Sequence, residues 1–211
     1  TRRYRFLLTL VAVIYLGVLV NNGTLYLSLA PGHPLDPNAF SYRGEFNSAW
    51  IGTMTVLVTN TFLGLFGFYL VNDCIERDIR TGVGQIIATT PVSRVMYLVG
   101  KWISNCLVLF MLVLILAASA AVMVLLQGKA TLDLGALLLP FLAVALPLMT
   151  LVAALAVVFE SVPWLRGTVG NILYFALWMG VGVPSIKGGM SLPILKDPLG
   201  IDVFRASLYA G

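Results

Sequence analysis

AWIGTMTVLVTNTFLGLFGFYLV (residues 49–71) runs straight into NDCIERDIRTGVGQIIATTPVSRVMYLVGK (residues 72–101), and the step between the two decides the fold class. The first stretch carries no charge and is long enough, as a helix, to cross a bilayer core of roughly 30 Å. The second holds three of the chain's nine acidic residues (Asp73, Glu76, Asp78) and four of its thirteen basic ones (Arg77, Arg80, Arg94, Lys101). A further apolar run, residues 102–126, follows at once. A charged, helix-patterned segment held between two membrane spans is placed to meet something in the water.

The whole composition agrees with that reading. Hydrophobic residues make up 59% of the 211 and charged residues 10%, where a soluble domain carries about 25% charged residues. The chain reads as an integral membrane protein with an all-α fold, one transmembrane domain over residues 1–211. Five stretches meet the length and apolarity of a span: 6–29, 49–71, 102–126, 134–158 and 168–186. Residues 187–211 read as an external tail, interfacial or re-entrant, and the odd number of spans suggests a fragment of a longer chain. Residues 31–48 form an external loop rich in turn formers.

Charge sets the expected orientation. Arg2, Arg3, Arg5, Arg77, Arg80, Arg94, Lys101 and Arg166 fall on one side of the spans, against Arg43 and Lys129 in the opposite loops. The positive-inside rule then places the N-terminus in the cytoplasm of a multi-pass protein of the plasma (inner) membrane. The net charge of +4 is explained in the same way. No run of like charges marks a nucleic-acid tail. A basic start before 6–20 could mimic a signal peptide, but Asn21-Asn22-Gly23 leads into more apolar sequence, so a retained span is expected.

Several chemistries are missing from the sequence. Cys74, Cys106 and His33 have neither the spacing of a metal site nor that of a disulfide framework. No HExxH, GxSxG or GxxxxGK[ST] motif occurs, which removes the usual intramembrane hydrolases and any phosphate-binding loop. The spans hold no ionisable side chain away from their ends, so an ion-driven carrier is not expected. The pattern suits an amphiphilic or lipid-like cargo. Thr59, Asn60, Thr61, Asn105 and Asn171 are the candidate translocation-path or interhelical polar residues. Asn60 at mid-depth is either an interhelical hydrogen bond or part of a path, and the bond is the favoured reading. Pro140 and Pro147 should disturb the fourth span, and Gly64 and Gly67 permit close helix approach.

Within 72–101, Ile79, Val83, Ile86 and Ile87 recur at helical spacing and make one apolar stripe on a helix of about twelve residues. Pro91 ends it. Ser93 can then cap a helix running through Tyr97, Gly100 and Lys101 into the next span. Two readings of the stripe stay open: a helix lying on the lipid surface, or one docked on a partner that the glycines Gly82 and Gly84 allow to approach.

These residues resemble a known family. Glu76-Arg77, Gly82, Ile86-Ile87, Thr90-Pro91-Val92-Ser93-Arg94, Tyr97 and Gly100-Lys101 look like the first cytoplasmic loop of type-2 ABC transporter permeases. The resemblance implies six spans per half, of which this chain shows five. It implies that residues 80–90 form a coupling helix docking on a separate nucleotide-binding ATPase subunit. Contact would fall on Glu76, Arg77, Arg80, Gly82, Val83, Ile86, Ile87, Pro91, Arg94 and Lys101, although Arg94 and Lys101 could equally anchor at headgroups. It further implies a second permease copy or paralogue as partner, no cofactor on this chain, and ATP with Mg on the ATPase. An accessory subunit that keeps the permease fold without transporting is the competing reading.

Overall fold

The computed structural model describes residues 47–72, 74–82, 89, 91, 93–127 and 133–187, together with Leu7, Val11, Ala12, Tyr15, Val18 and Leu19; residues 127 and 181–187 are described by backbone alone. All structural statements concern these residues. They form helices and turns, with no strand among them. In order these are α1 (Ser48–Val71), α2 (Cys74–Arg80), α3 (Arg94–Gln127), α4 (Leu134–Pro140), a π-turn (Phe141–Ala145), α5 (Leu146–Ser161), a 3-10 turn (Pro163–Leu165) and α6 (Thr168–Lys187).

Three helical stretches are long and apolar enough to cross a membrane: Ser48–Arg80, Arg94–Leu126 and Leu134–Ser161. Thr168–Gly180 is a shorter apolar helix within α6. The spans expected over 49–71, 102–126, 134–158 and 168–186 therefore all fall on helices. The expected first span, 6–29, and the tail lie almost wholly outside the described residues.

Local sequence explains the helix ends. Asn47 caps α1 by accepting a hydrogen bond from the Trp50 N–H at 2.8 Å. Asp133 caps α4, its carboxylate accepting from Gly135 N at 2.9 Å and Ala136 N at 3.1 Å. The Asp133 N–H in turn donates to the Ser48 hydroxyl, tying the starts of α1 and α4 together. Ser93 caps α3 as its position predicts, accepting from Met96 N at 3.2 Å. The irregularity expected of Pro140 and Pro147 takes the form of the π-turn between α4 and α5. There the Leu146 N–H reaches back five residues to the Phe141 carbonyl. Pro147 has no N–H to offer, and its ring would crowd the Ala143 carbonyl in a regular helix; a widened turn relieves both.

The central element is α1, which packs against α3, α4 and α5. Its tightest approach is at Gly52, where a Cβ would stand 2.5 Å from the Leu137 carbonyl oxygen on α4. At Gly64 and Gly67, where close approach is expected, a Cβ would meet Trp178 Nε1 at 3.4 Å and Leu109 Cδ2 at 3.0 Å. The core joins Leu63 and Phe68 of α1 to Leu109, Leu112 and Leu116 of α3, Leu137 of α4 and Met149 of α5.

The outward faces are as apolar as the core. On α3 the exposed residues include Val99, Ile103, Leu107, Met111, Leu114 and Leu125, opposite the buried Leu109, Val113 and Leu116. A helix hydrophobic on every side belongs in lipid or in the middle of a large protein. Exposed as it is here, α3 belongs in lipid.

Candidate functional site

The charged step after α1 begins with a break. Asn72 takes an extended conformation (ψ 162°) and its N–H closes the last turn of α1 on the Phe68 carbonyl at 2.8 Å. A new short helix, α2, starts at Cys74. It stops at Arg80, where Thr81 N–H bonds the Arg77 carbonyl at 2.9 Å and Gly82 adopts φ +75°. That left-handed conformation suits glycine and ends a right-handed helix.

The uninterrupted stripe from Ile79 to Ile87 is thereby corrected: Ile79 belongs to α2, and the turn at Gly82 cuts it off from the rest of the stripe. Val83, Ile86 and Ile87 lie outside the described residues, as does most of the expected coupling helix over 80–90.

The short helix is fastened to two others, and the end of α1 just before it to a third. Its first two N–H groups, which have no partner within the helix, are satisfied by a carboxylate from far along the chain. Glu160, near the end of α5 and only 3% exposed, accepts from Cys74 N at 2.8 Å through Oε1 and from Ile75 N at 2.5 Å through Oε2. The Cys74 thiol also donates to Oε2, at 3.2 Å. A carboxylate at a helix start is favoured both by these charge-assisted bonds and by the dipole of the first turn. Around this contact Cys74, Ile75 and Val157 form a small apolar cluster with Tyr97 and Leu98.

The second fastening is to α3. Asp78 accepts from the Tyr97 hydroxyl at 2.7 Å and pairs with Lys101 at 2.6 Å. Lys101 also donates to the Cys74 carbonyl at 3.5 Å and lies 5.6 Å from the centre of the Tyr97 ring. Lys101 therefore holds the base of α3 against α2. Asn105 adds a contact from its amide to the Cys74 sulfur at 3.7 Å. We expect Asp78→Asn to weaken the α2–α3 junction by about 1.5–3 kcal/mol, the worth of a hydrogen-bonded charged group. Detergent-titration unfolding monitored by Trp fluorescence would measure it.

The third fastening, to α6, is made by the end of α1. The Asn72 amide donates to Asn171 Oδ1 at 2.8 Å, and the Tyr69 hydroxyl donates to the Asn171 carbonyl at 2.9 Å. Nearby, Arg166 Nε donates to the Glu160 carbonyl at 2.6 Å, closing the C-terminal end of α5. Asn171 and Asn105 thus both make polar contacts between helices.

The other candidates are placed differently. Thr59 and Thr61 bond back to the carbonyls of Thr55 and Leu57 in their own helix, at 2.6 and 2.9 Å. Asn60 is fully buried and neither its amide nitrogen nor its oxygen has a hydrogen-bond partner, which overturns the expected interhelical bond. The two neighbouring threonines, which could have served it, are committed to their own backbone. Because an unpaired buried polar group is costly, Asn60→Leu should stabilise the bundle by about 1–3 kcal/mol. A thermal-unfolding midpoint no higher than wild type would contradict this.

Glu76 pairs with Arg80 one turn away, as the i, i+4 spacing allows. Arg80 is largely exposed, so the pair adds little to stability. Arg77, Pro91 and Arg94 are exposed on the same end of the bundle, and no metal-binding cluster occurs among the described residues. Glu160 is the residue that sequence reading passed over. Its local mark is an acidic side chain closing an apolar run just before Val162-Pro163; the helix start it serves lies 86 positions earlier in the chain.

The fold and this polar junction define a polytopic helical membrane protein with a water-facing segment built into its span ends. The profile of the ABC-2 family transporter proteins matches residues 5–193, and the chain belongs to that family. It is a membrane component of an ABC transporter. Neither a curated protein nor a solved structure gives a match.

Proposed function

We propose that this chain is the membrane-spanning subunit of an ABC exporter, and that ATP hydrolysis on a separate ATPase subunit drives it through the segment 72–101. ATP and Mg would sit on that partner. The observation that carries the reading is the way α2, at the head of this segment, is fastened to α3 and α5, with the end of α1 just before it fastened to α6. A segment that only lay on lipid would have no need to be tied into the bundle at its root. Family membership supports the same conclusion. On this reading Arg77, Arg80, Gly82, Val83, Ile86, Ile87, Pro91 and Arg94 meet the ATPase, while Glu76 supports Arg80. Lys101 holds the junction from inside.

The basic residues of the segment and Arg166 put this end of the bundle in the cytoplasm, with the N-terminus on the same side of the plasma membrane. Six spans per half and a pair of halves, identical or paralogous, would complete the transporter. The cargo is amphiphilic or lipid-like. Among the described residues the one buried acidic or basic side chain is Glu160, and it is engaged at the span end rather than placed along a path.

The double substitution Ile86→Asp/Ile87→Asp should abolish co-purification of the ATPase and leave membrane insertion intact. An ATPase that still co-purifies normally would refute the assignment. A wild-type complex with no nucleotide-binding subunit would favour an accessory, non-transporting role instead.

A further inference from the structure

The ties that hold α2 in the bundle are not equivalent. α1 precedes it across the break at Asn72, and α3 follows it after the segment, so both are joined to it through the chain. Glu160 comes from α5, a helix with no such neighbourhood, and it holds the two N–H groups at the helix start together with the Cys74 thiol. α5 itself begins at the π-turn after Phe141–Ala145, where the regular hydrogen bonding of the fourth span is already interrupted. Such turns are points where a helix bends at low cost.

We propose that Glu160 is a positioning residue that locks α2 to α5, so that displacement of the segment by its ATPase moves the α5 half of the fourth span as one body with α2. The inference rests on the reading that an ATPase acts on this segment. Both carboxylate oxygens are used as acceptors, so the lock requires a carboxylate. In Glu160→Gln one of the two positions becomes an NH2, which cannot accept from a backbone N–H. The shape is kept and the clamp is lost. Lys101 and Tyr97 would still hold α2 to α3, leaving it attached to the bundle but disconnected from α5.

Cys74 reports on the clamp directly, because its thiol is buried beneath the carboxylate. The test uses the full transporter complex in membranes, in a Cys106→Ala background, with N-ethylmaleimide labelling of Cys74 followed by mass spectrometry. Wild-type Cys74 should stay protected both at rest and after ATP with vanadate, because α2 and α5 travel together. Glu160→Gln should speed labelling by about ten- to a hundredfold, the consequence of losing a charge-assisted hydrogen bond. In parallel, with both native cysteines replaced, spin labels at Phe66→Cys on α1 and Val158→Cys on α5 should change separation on ATP–vanadate addition. Adding Glu160→Gln should abolish that change.

A second variant guards against simple misfolding. Glu160→Cys joined to Cys74 by a short bifunctional thiol reagent should restore the nucleotide response, here read by fluorophores attached through unnatural amino acids at 66 and 158. A purely structural role would not predict rescue by a covalent strap. The proposal is overturned if wild-type Cys74 becomes reactive on ATP addition, if Glu160→Gln leaves labelling unchanged, or if the nucleotide-driven change survives in that variant. Failure of the functional reading looks different: no ATPase is present in the complex, while the resting labelling contrast between wild type and Glu160→Gln remains.

Discussion

Replacing Phe68 with alanine is expected to loosen the bundle by about 2–3 kcal/mol, roughly the cavity cost of an aromatic ring at about 24 cal/mol per Å3 over a void on the order of 100 Å3. Phe68 is completely buried and sits at the meeting point of three helices. Its ring stacks on Tyr174 of α6 at 3.7 Å between centroids, with the planes 5° apart. Phe159 of α5 and Tyr69 meet it edge-on at 5.5 and 5.6 Å. The Tyr174 hydroxyl donates to the Gly64 carbonyl and fixes the stack in register. Separated helices in a bilayer are already out of water, so the transfer part of the usual Phe→Ala cost is largely absent and packing carries the effect. Detergent-titration unfolding should show a clear loss for Phe68→Ala. Phe68→Leu, which refills part of the space, should recover about half of it.

Gly52→Leu should be comparably damaging for the opposite reason. Even a Cβ at Gly52 would stand 2.5 Å from the Leu137 carbonyl oxygen, and that atom is backbone, so no side-chain rotation can clear it. α1 and α4 must separate, costing the usual overpacking penalty of about 1–3 kcal/mol as well as dispersion contacts along the seam. Gly180, on α6, is a fitting control. Nothing lies within reach of an added Cβ there, and Gly180→Ala should stabilise its helix by about 0.5–1 kcal/mol. If both glycine substitutions behaved alike, the close α1–α4 approach would be wrong.

Much of the architecture is legible in the sequence. Apolar run length alone locates α1, α3, the α4–α5 unit and α6, because in a bilayer nothing but a helix satisfies the backbone of such a stretch. Ser93 is legible as a cap because its side chain acts on a backbone group three residues away. The stripe at Ile79 misleads because periodicity does not register the backbone: a single glycine at φ +75° ends a helix without altering the hydrophobic pattern. Asn60 and Glu160 escape sequence reading for a shared reason. Whether a buried polar group finds a partner depends on which helices meet, and Glu160 meets Cys74 across 86 positions of sequence. Local spacing holds no trace of such a contact.

The proposed role of this subunit turns on whether the segment after α2 is where an ATPase engages it. Site-specific photo-crosslinking tests that most directly, with a benzophenone amino acid placed at Arg80 or Thr89, both exposed, and at the outward-facing Leu139 of α4 as a control. The expected result is a covalent adduct from positions 80 and 89, but not from 139, whose partner yields peptides spanning a phosphate-binding loop. Irradiation of the intact complex that gave no such adduct from either 80 or 89 would contradict it.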